Sequence, residues 1–319
     1  IKDISKTILA MNVIVLFLVV ISSGQNFYKT SPGYATYNAN SNTVVALSEA
    51  SSENCGLVNR IIKKEIVQNP TVITDWSYEI NAPMLSSLRI ADVDSDGILD
   101  IICTAYGPMP NPYSSGQIAV FDIEGSFLPG WPIITVGPVP ATPVTGDIDN
   151  DGDQELVVGD WNRMYVLNHD GSNFPGWPIN NGISYSPSLE DLNGDGDLEI
   201  IYPSGYLLYI RHHDGSLFSG WPVSAPENVG SPAIADIDND GELEIAAGTL
   251  AGPVGPEPYE FYVWDLDGAV LPGFPVATSG VVKSTPAIGD VDNDGLLEIV
   301  VASYDESNND FIYCWDHQG

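Results

Sequence analysis

The chain has 319 residues and an apolar fraction of 44%, enough for a sizeable buried core, so wholesale disorder is excluded. Ten Lys+Arg stand against 43 Asp+Glu, a formal net charge of −33, and after Lys64 the only basic residues are Arg89, Arg163, Arg211 and Lys283. Such a surface repels phosphate backbones and anionic lipid, which excludes nucleic acid as a partner. Three cysteines (Cys55, Cys103, Cys314) without C-x-x-C spacing exclude a disulfide framework and a thiolate zinc site, and leave Cys103 and Cys314 as expected core residues.

In chain order, Lys2 and Lys6 precede an apolar run from Ile8 to Ile21, followed by Ser22, Ser23 and Gly24. That is the pattern of a secretory signal peptide over residues 1–24, with cleavage expected near Gly24–Gln25. The run is short of the ~20 residues a membrane span needs, so no span is expected in the mature chain; an uncleaved anchor is the competing reading. Residues 25–75 are first rich in Ser, Asn and Thr and then contain LVNRIIKKEIV, which reads as a linker or a partial extra blade.

From residue 76 the chain repeats. The motif D-x-[DN]-x-D-G-x-x-[DE] occurs five times: DVDSDGILD, DIDNDGDQE, DLNGDGDLE, DIDNDGELE and DVDNDGLLE. An aromatic residue, three times in Gly-Trp-Pro and once in Gly-Phe-Pro, precedes each copy at Trp76, Trp131, Trp177, Trp221 and Phe274, by 16, 16, 14, 15 and 16 residues. An aromatic-rich strand closed by a turn, as in YVLNHDG and YVWDLDG, is the third marker, and its last Gly lies six residues before the next aromatic. The units run 76–130, 131–176, 177–220, 221–273 and 274–319. Each reads as four short strands: A before the acidic loop, B after it, C the aromatic strand, and D at the Gly-Trp-Pro, with Asp-Gly marking a tight C–D hairpin. Four strands in about 45 residues, repeated, predict an all-β fold: a β-propeller of four-stranded blades, with five repeats visible in an incomplete, truncated ring.

The nine-residue loop is built for a divalent cation. Calcium takes six to eight oxygens, and acids at positions 1, 3 and 5 point inward when the chain wraps round a point. Gly at position 6 permits the turn, and the acid at position 9, already on strand B, closes the shell. The predicted ligand sets are Asp92, Asp94, Asp96 and Asp100; Asp147, Asp149, Asp151 and Glu155; Asp191, Asn193, Asp195 and Glu199; Asp236, Asp238, Asp240 and Glu244; and Asp290, Asp292, Asp294 and Glu298. Up to five Ca2+ ions are expected, one per repeat. An EF-hand is excluded, since it needs its last acid at position 12 between helices. Magnesium prefers a stiffer octahedron with several waters.

With these loops and the S/T-P-x-[IVL]-x-D lead-in kept at Pro143, Pro187, Pro232 and Pro286, residues 76–319 resemble the FG-GAP/VCBS-type repeats of extracellular calcium-binding propellers, the broad class of the integrin α-subunit head. The resemblance implies a secreted or cell-surface adhesion or interaction module with structural calcium. The alternative is a propeller part of a carbohydrate-active enzyme, such as a polysaccharide lyase. No H-E-x-x-H, G-x-S-x-G or phosphate loop occurs, and His169, His213 and His317 share one turn position with His212 beside it, so no enzyme is expected. Length variation concentrates in the B–C connections, long in units 1 (Gly107–Tyr113) and 4 (Gly252–Tyr259). An unidentified protein or glycan partner is therefore expected at the B–C face, with Tyr113 and Tyr259, opposite the acidic loops.

Overall fold

The computed structural model describes residues 76–319 apart from 81, 184, 251–258 and 305–309, together with the backbone of 35–38 and 43–46. The expected leader, most of the 25–75 segment and the 252–258 insertion lie outside the described residues. Two compact units result: Ile1–Met84 with Pro108–Pro112, and Leu85–Gly107 with Tyr113–Gly319. In the first unit, β1 (Ala35–Asn38) and β2 (Thr43–Ala46) form an antiparallel hairpin. Among the described residues no helix is long and apolar enough to cross a membrane.

The second unit is a series of antiparallel sheets whose strands follow chain order. The first contains β3 (Arg89–Ala91), β4 (Asp100–Tyr106), β5 (Gly116–Phe121) and β6 (Ile133–Thr135). The second contains β7 (Val144–Gly146), β8 (Glu155–Gly159) and β9 (Met164–Leu167), with Ile179 bridging Met164 where a fourth strand would lie. The third contains β10 (Ser188–Glu190), β11 (Glu199–Ser204), β12 (Leu207–Arg211) and β13 (Val223–Ser224). In the fourth, β14 (Asn228–Val229) and β15 (Ala233–Ala235) both pair β16 (Glu244–Leu250), followed by β17 (Tyr259–Trp264) and β18 (Val276–Thr278). The fifth has β19 (Ala287–Gly289), β20 (Glu298–Ser303) and β21 (Phe311–Trp315). Each D strand follows the aromatic-Pro pair, so the Trp-Pro that opens one sequence unit closes the sheet of the unit before it.

The strand period of two explains why strand B reads as an unbroken apolar run. In β8, Leu156 and Val158 join a core with the first sheet's Ile102, Ile118 and Val120, while Val157 between them faces the third sheet's Ile200 and Tyr202. In β16, Ile245 and Ala247 pack toward the third sheet and Ala246 toward the fifth. Every internal sheet is thus buried on both faces, each against a different neighbour, and apolar residues are needed at consecutive positions. Strands A approach one another in series, β7 to β10, β10 to β15 and β15 to β19. Sheets stacked face to face with strand A innermost are blades of a β-propeller. The four core clusters join successive blades, and among the described residues none joins the fifth blade to the first, so these blades form an arc.

The Gly-Trp-Pro segment makes the joint between blades. Trp131 Nε1 donates to His169 O at 3.1 Å, Trp177 Nε1 to His213 O at 2.7 Å, and Trp221 Nε1 to Leu266 O at 2.8 Å. Each acceptor lies in the C–D turn of the next blade. Phe274, at the same place, has no donor to offer. The glycine just before the aromatic lets that turn approach: a Cβ on Gly130, Gly176, Gly220 or Gly273 would fall 1.8, 2.3, 2.5 or 2.0 Å from a carbonyl oxygen of Asp170, Asp214, Asp267 or Gln318. All four also hold positive φ.

Cys103 is buried as expected, but Cys314 is exposed. β21 is an edge strand in the last described sheet, and among the described residues no blade packs over its outer face, which also leaves Ile312 exposed.

Candidate metal centres

Each acidic loop connects strand A to strand B and follows one hydrogen-bonding plan. The position-1 Asp accepts from the position-6 Gly N–H, as Asp92 Oδ2 does from Gly97 N at 2.9 Å and Asp290 Oδ2 from Gly295 N at 3.0 Å. The position-5 Asp accepts from the position-7 N–H, at 2.7–3.0 Å in all five loops. One oxygen of the position-9 acid accepts from the position-2 N–H: Asp100 from Val93, Glu155 from Ile148, Glu199 from Leu192, Glu244 from Ile237 and Glu298 from Val291. These five acids are all buried. Position 4 is left-handed throughout, at Ser95, Asn150, Gly194, Asn239 and Asn293. Ser, Asn and Gly tolerate that region, so position 4 carries a sequence signal of its own.

This plan turns carboxylate oxygens inward. Four trios have oxygens within 4.8 Å of one another: Asp92, Asp94 and Asp96; Asp147, Asp149 and Glu155; Asp236, Asp238 and Glu244; and Asp290, Asp292 and Asp294. Among the described residues the third loop supplies no such trio. Asp100, Asp151, Asp240 and Glu298, the remaining members of these four predicted sets, fall outside the trios. Burial pushes Glu155 and Glu244 up to about 7, with neighbouring loop aspartates adding to the shift. Asp100 and Asp149 are raised for the same two reasons, burial first. Asp149 Oδ1 and Asp236 Oδ1 are buried without a hydrogen-bond partner. An acceptor-only cage with orphaned carboxylate oxygens fits a divalent cation.

The C–D turn lies against this cage, and there the histidines find a role that their sequence position did not disclose. His169 Nδ1 is 3.6 Å from Asp153 Oδ2 and His213 Nδ1 is 3.2 Å from Asp197 Oδ2, both acids at position 7. His212 Nδ1 is 2.9 Å from Glu199 Oε1. In the fourth blade a cleft between loop and turn is lined by Asp238, Asp240, Glu242, Glu244, Asp265 and Asp267. Arg211 donates to Tyr202 Oη and Gly215 O, so it is engaged within its own blade.

At the opposite, B–C end, Tyr113 stacks on Trp161 of the next blade, ring centroids 5.6 Å apart and 13° from parallel, and both meet Tyr106 edge-on. Tyr113 is 63% exposed and Trp161 45%. The short β8–β9 connection presenting Trp161 is organised by buried Asp160, which accepts from the N–H groups of Gly137, Asn162 and Arg163 and from Tyr165 Oη–H. Sequence spacing had picked out Tyr113 but neither Trp161 nor Asp160. Tyr259, the other expected aromatic, opens β17 opposite Thr278 and is half-buried.

A family model described as an FG-GAP-like repeat matches residues 92–158, 147–202 and 191–247. Residues 92–247 are FG-GAP-like repeats. Each match begins on the first Asp of an acidic loop and ends in or beside strand B of the next blade, so the FG-GAP-like repeat takes in two successive loops. No curated protein matches the sequence. Among solved structures, the biofilm matrix protein Bap1 of V. cholerae is similar at 20% identity and TM-score 0.56, over 75% of this chain and 39% of that one. The C-terminal domain of PilY1 from Pseudomonas aeruginosa is similar at 18% identity and TM-score 0.48, over 67% and 57%. The chain thus spans less than two thirds of either, and the likeness to Bap1 is one of fold.

Proposed function

We propose that this is a calcium-stabilised, secreted or cell-surface interaction module in which the FG-GAP-like loops bind Ca2+ and the B–C face binds a protein or glycan. The observation that carries the reading is the pair of buried, unpartnered oxygens Asp149 Oδ1 and Asp236 Oδ1 inside trios that contain only acceptors. Flexible multi-oxygen cages of this kind suit calcium rather than magnesium. Calcium pins strand A to strand B in each loaded blade, so its role is structural. Recognition falls to the other end, where Tyr113 and Trp161 expose a rigid aromatic surface. The fold likeness to a biofilm matrix protein supports an extracellular setting.

Calorimetric titration of chelator-stripped protein with Ca2+ and with Mg2+ tests the first half: saturable Ca2+ binding and a raised Tm are expected, and an unchanged melt refutes it. For the second half, labelled protein is screened on a glycan panel and on cell surfaces. Binding is expected to be lost in Trp161→Ala with the Ca2+-loaded melt retained; binding that survives this variant sinks the assignment of the face.

A further inference from the structure

The third loop departs from its siblings at the point where they converge. Elsewhere, among the described residues, the position-9 acid takes the position-2 N–H on one oxygen and no hydrogen bond meets the other. In the third loop, Glu199 Oε1 is met by two protein donors: His212 Nδ1 at 2.9 Å and Asn193 Nδ2 at 3.2 Å. Both donors stand where this repeat differs from the others. Position 3 is Asn193 here and Asp in the other four loops. The residue aligned with His212 in the C–D turn is Asp122, Asn168, Asp265 and Asp316 in the remaining repeats. The third loop also lacks the close trio of acids found in the other four.

We propose that the third loop is closed by His212 and Asn193 in place of a cation, so that a calcium-saturated chain carries four ions and not five. The amide and imidazole N–H groups satisfy the carboxylate that a cation would otherwise neutralise; Asn193 ties the loop to Glu199 on strand B, the task proposed for the ion in the other blades, and His212 adds the C–D turn to that link. A second strap, His213 to Asp197, acts in the same direction. Losing one acid at position 3 also weakens the loop's attraction for a cation, since calcium affinity follows the number of charged ligands. The fourth blade shows the contrast: Asp265 occupies the place of His212, and burial together with Asp267, Asp238 and Asp240 raises its pKa, a like-charge arrangement that calls for a cation.

This inference rests on the reading that the other loops bind calcium, and the two fail separately. Full-length protein is stripped, saturated with Ca2+, desalted and assayed for calcium per chain by elemental analysis. Four ions are expected; five overturn the inference while upholding calcium binding, and none overturns the proposed function. The Asn193→Asp/His212→Asp double variant, which installs the position-3 acid of the other four loops and the turn acid of three of the other repeats, is expected to carry one more ion than the wild type. An unchanged count refutes the assignment of the closed loop to the third repeat. Should the variant fold poorly, anomalous scattering from terbium-soaked wild-type crystals decides instead: density is expected at four loops, and density between Asp191 and Glu199 refutes the closure.

Discussion

Chelation at two pH values probes the loops most directly. Without an ion, Glu155 and Glu244 titrate near 7 in the folded chain against 4.5 in the unfolded one. Both folded-state values are raised, so the ion-free folded chain holds protons that the unfolded chain has released. Stability is therefore highest below 4.5 and declines as pH climbs to about 7, with the full penalty present above that. A raised carboxyl of this size corresponds to roughly 3 kcal/mol per glutamate above both values, and between about pH 5.5 and pH 8 the pair together loses roughly 4 kcal/mol. For a unit of this size that is on the order of 10 °C in Tm. The assay is scanning calorimetry in EDTA and in excess Ca2+ at both pH values. In EDTA the melt should fall steeply toward pH 8, and Ca2+ should restore it there far more than at pH 5.5. Glu155→Gln/Glu244→Gln should flatten the EDTA profile, which separates these two groups from the general self-repulsion of an acidic chain. An EDTA melt that is flat or rises with pH, or a double variant with the wild-type slope, refutes the argument.

Other consequences are simpler to read. Trp177→Phe deletes the 2.7 Å bond to His213 O and should lower stability by about 1–2 kcal/mol, whereas Phe274→Trp supplies the missing donor and should raise it by about 1 kcal/mol; urea titration checks both. Gly176→Ala forces a Cβ to within 2.3 Å of Asp214 O at positive φ, and a loss of ~2 kcal/mol or more is expected by the same titration. Asp160→Ala strands the N–H groups of Gly137, Asn162 and Arg163, and should cost about 3 kcal/mol and disorder the Trp161 turn, visible as lost near-ultraviolet tryptophan dichroism.

The blades and the acidic loops were legible because each is local: a nine-residue motif, a period-two strand and an Asp-Gly turn sit within one unit. The joint between blades was not. The acceptor for Trp131 lies 38 residues on and that for Trp221 45 residues on, so the repeat spacing marked the aromatic without disclosing its partner. The glycine before each aromatic was a usable signal for close approach, visible once its partner is known. His212 read as a neighbour of repeat positions, since its partner Glu199 lies across the blade on another strand. Trp161 falls in a short connection, and length variation pointed away from it. Cys314 matched buried positions of other units, but among the described residues no blade covers β21.

Because consecutive residues of one strand B serve different interfaces, each blade is coupled only to its immediate neighbours, and the arc behaves as a one-dimensional chain of contacts. Unfolding should then proceed as fraying inward from the terminal blades and not as a single melt of the whole. Strand β21, largely exposed among the described residues, should lose amide protection before the internal strands of the second and third blades. Calcium bound in one blade would therefore slow exchange most in the two blades that flank it, so that a local ion acts as a brake on the propagation of unfolding along the arc.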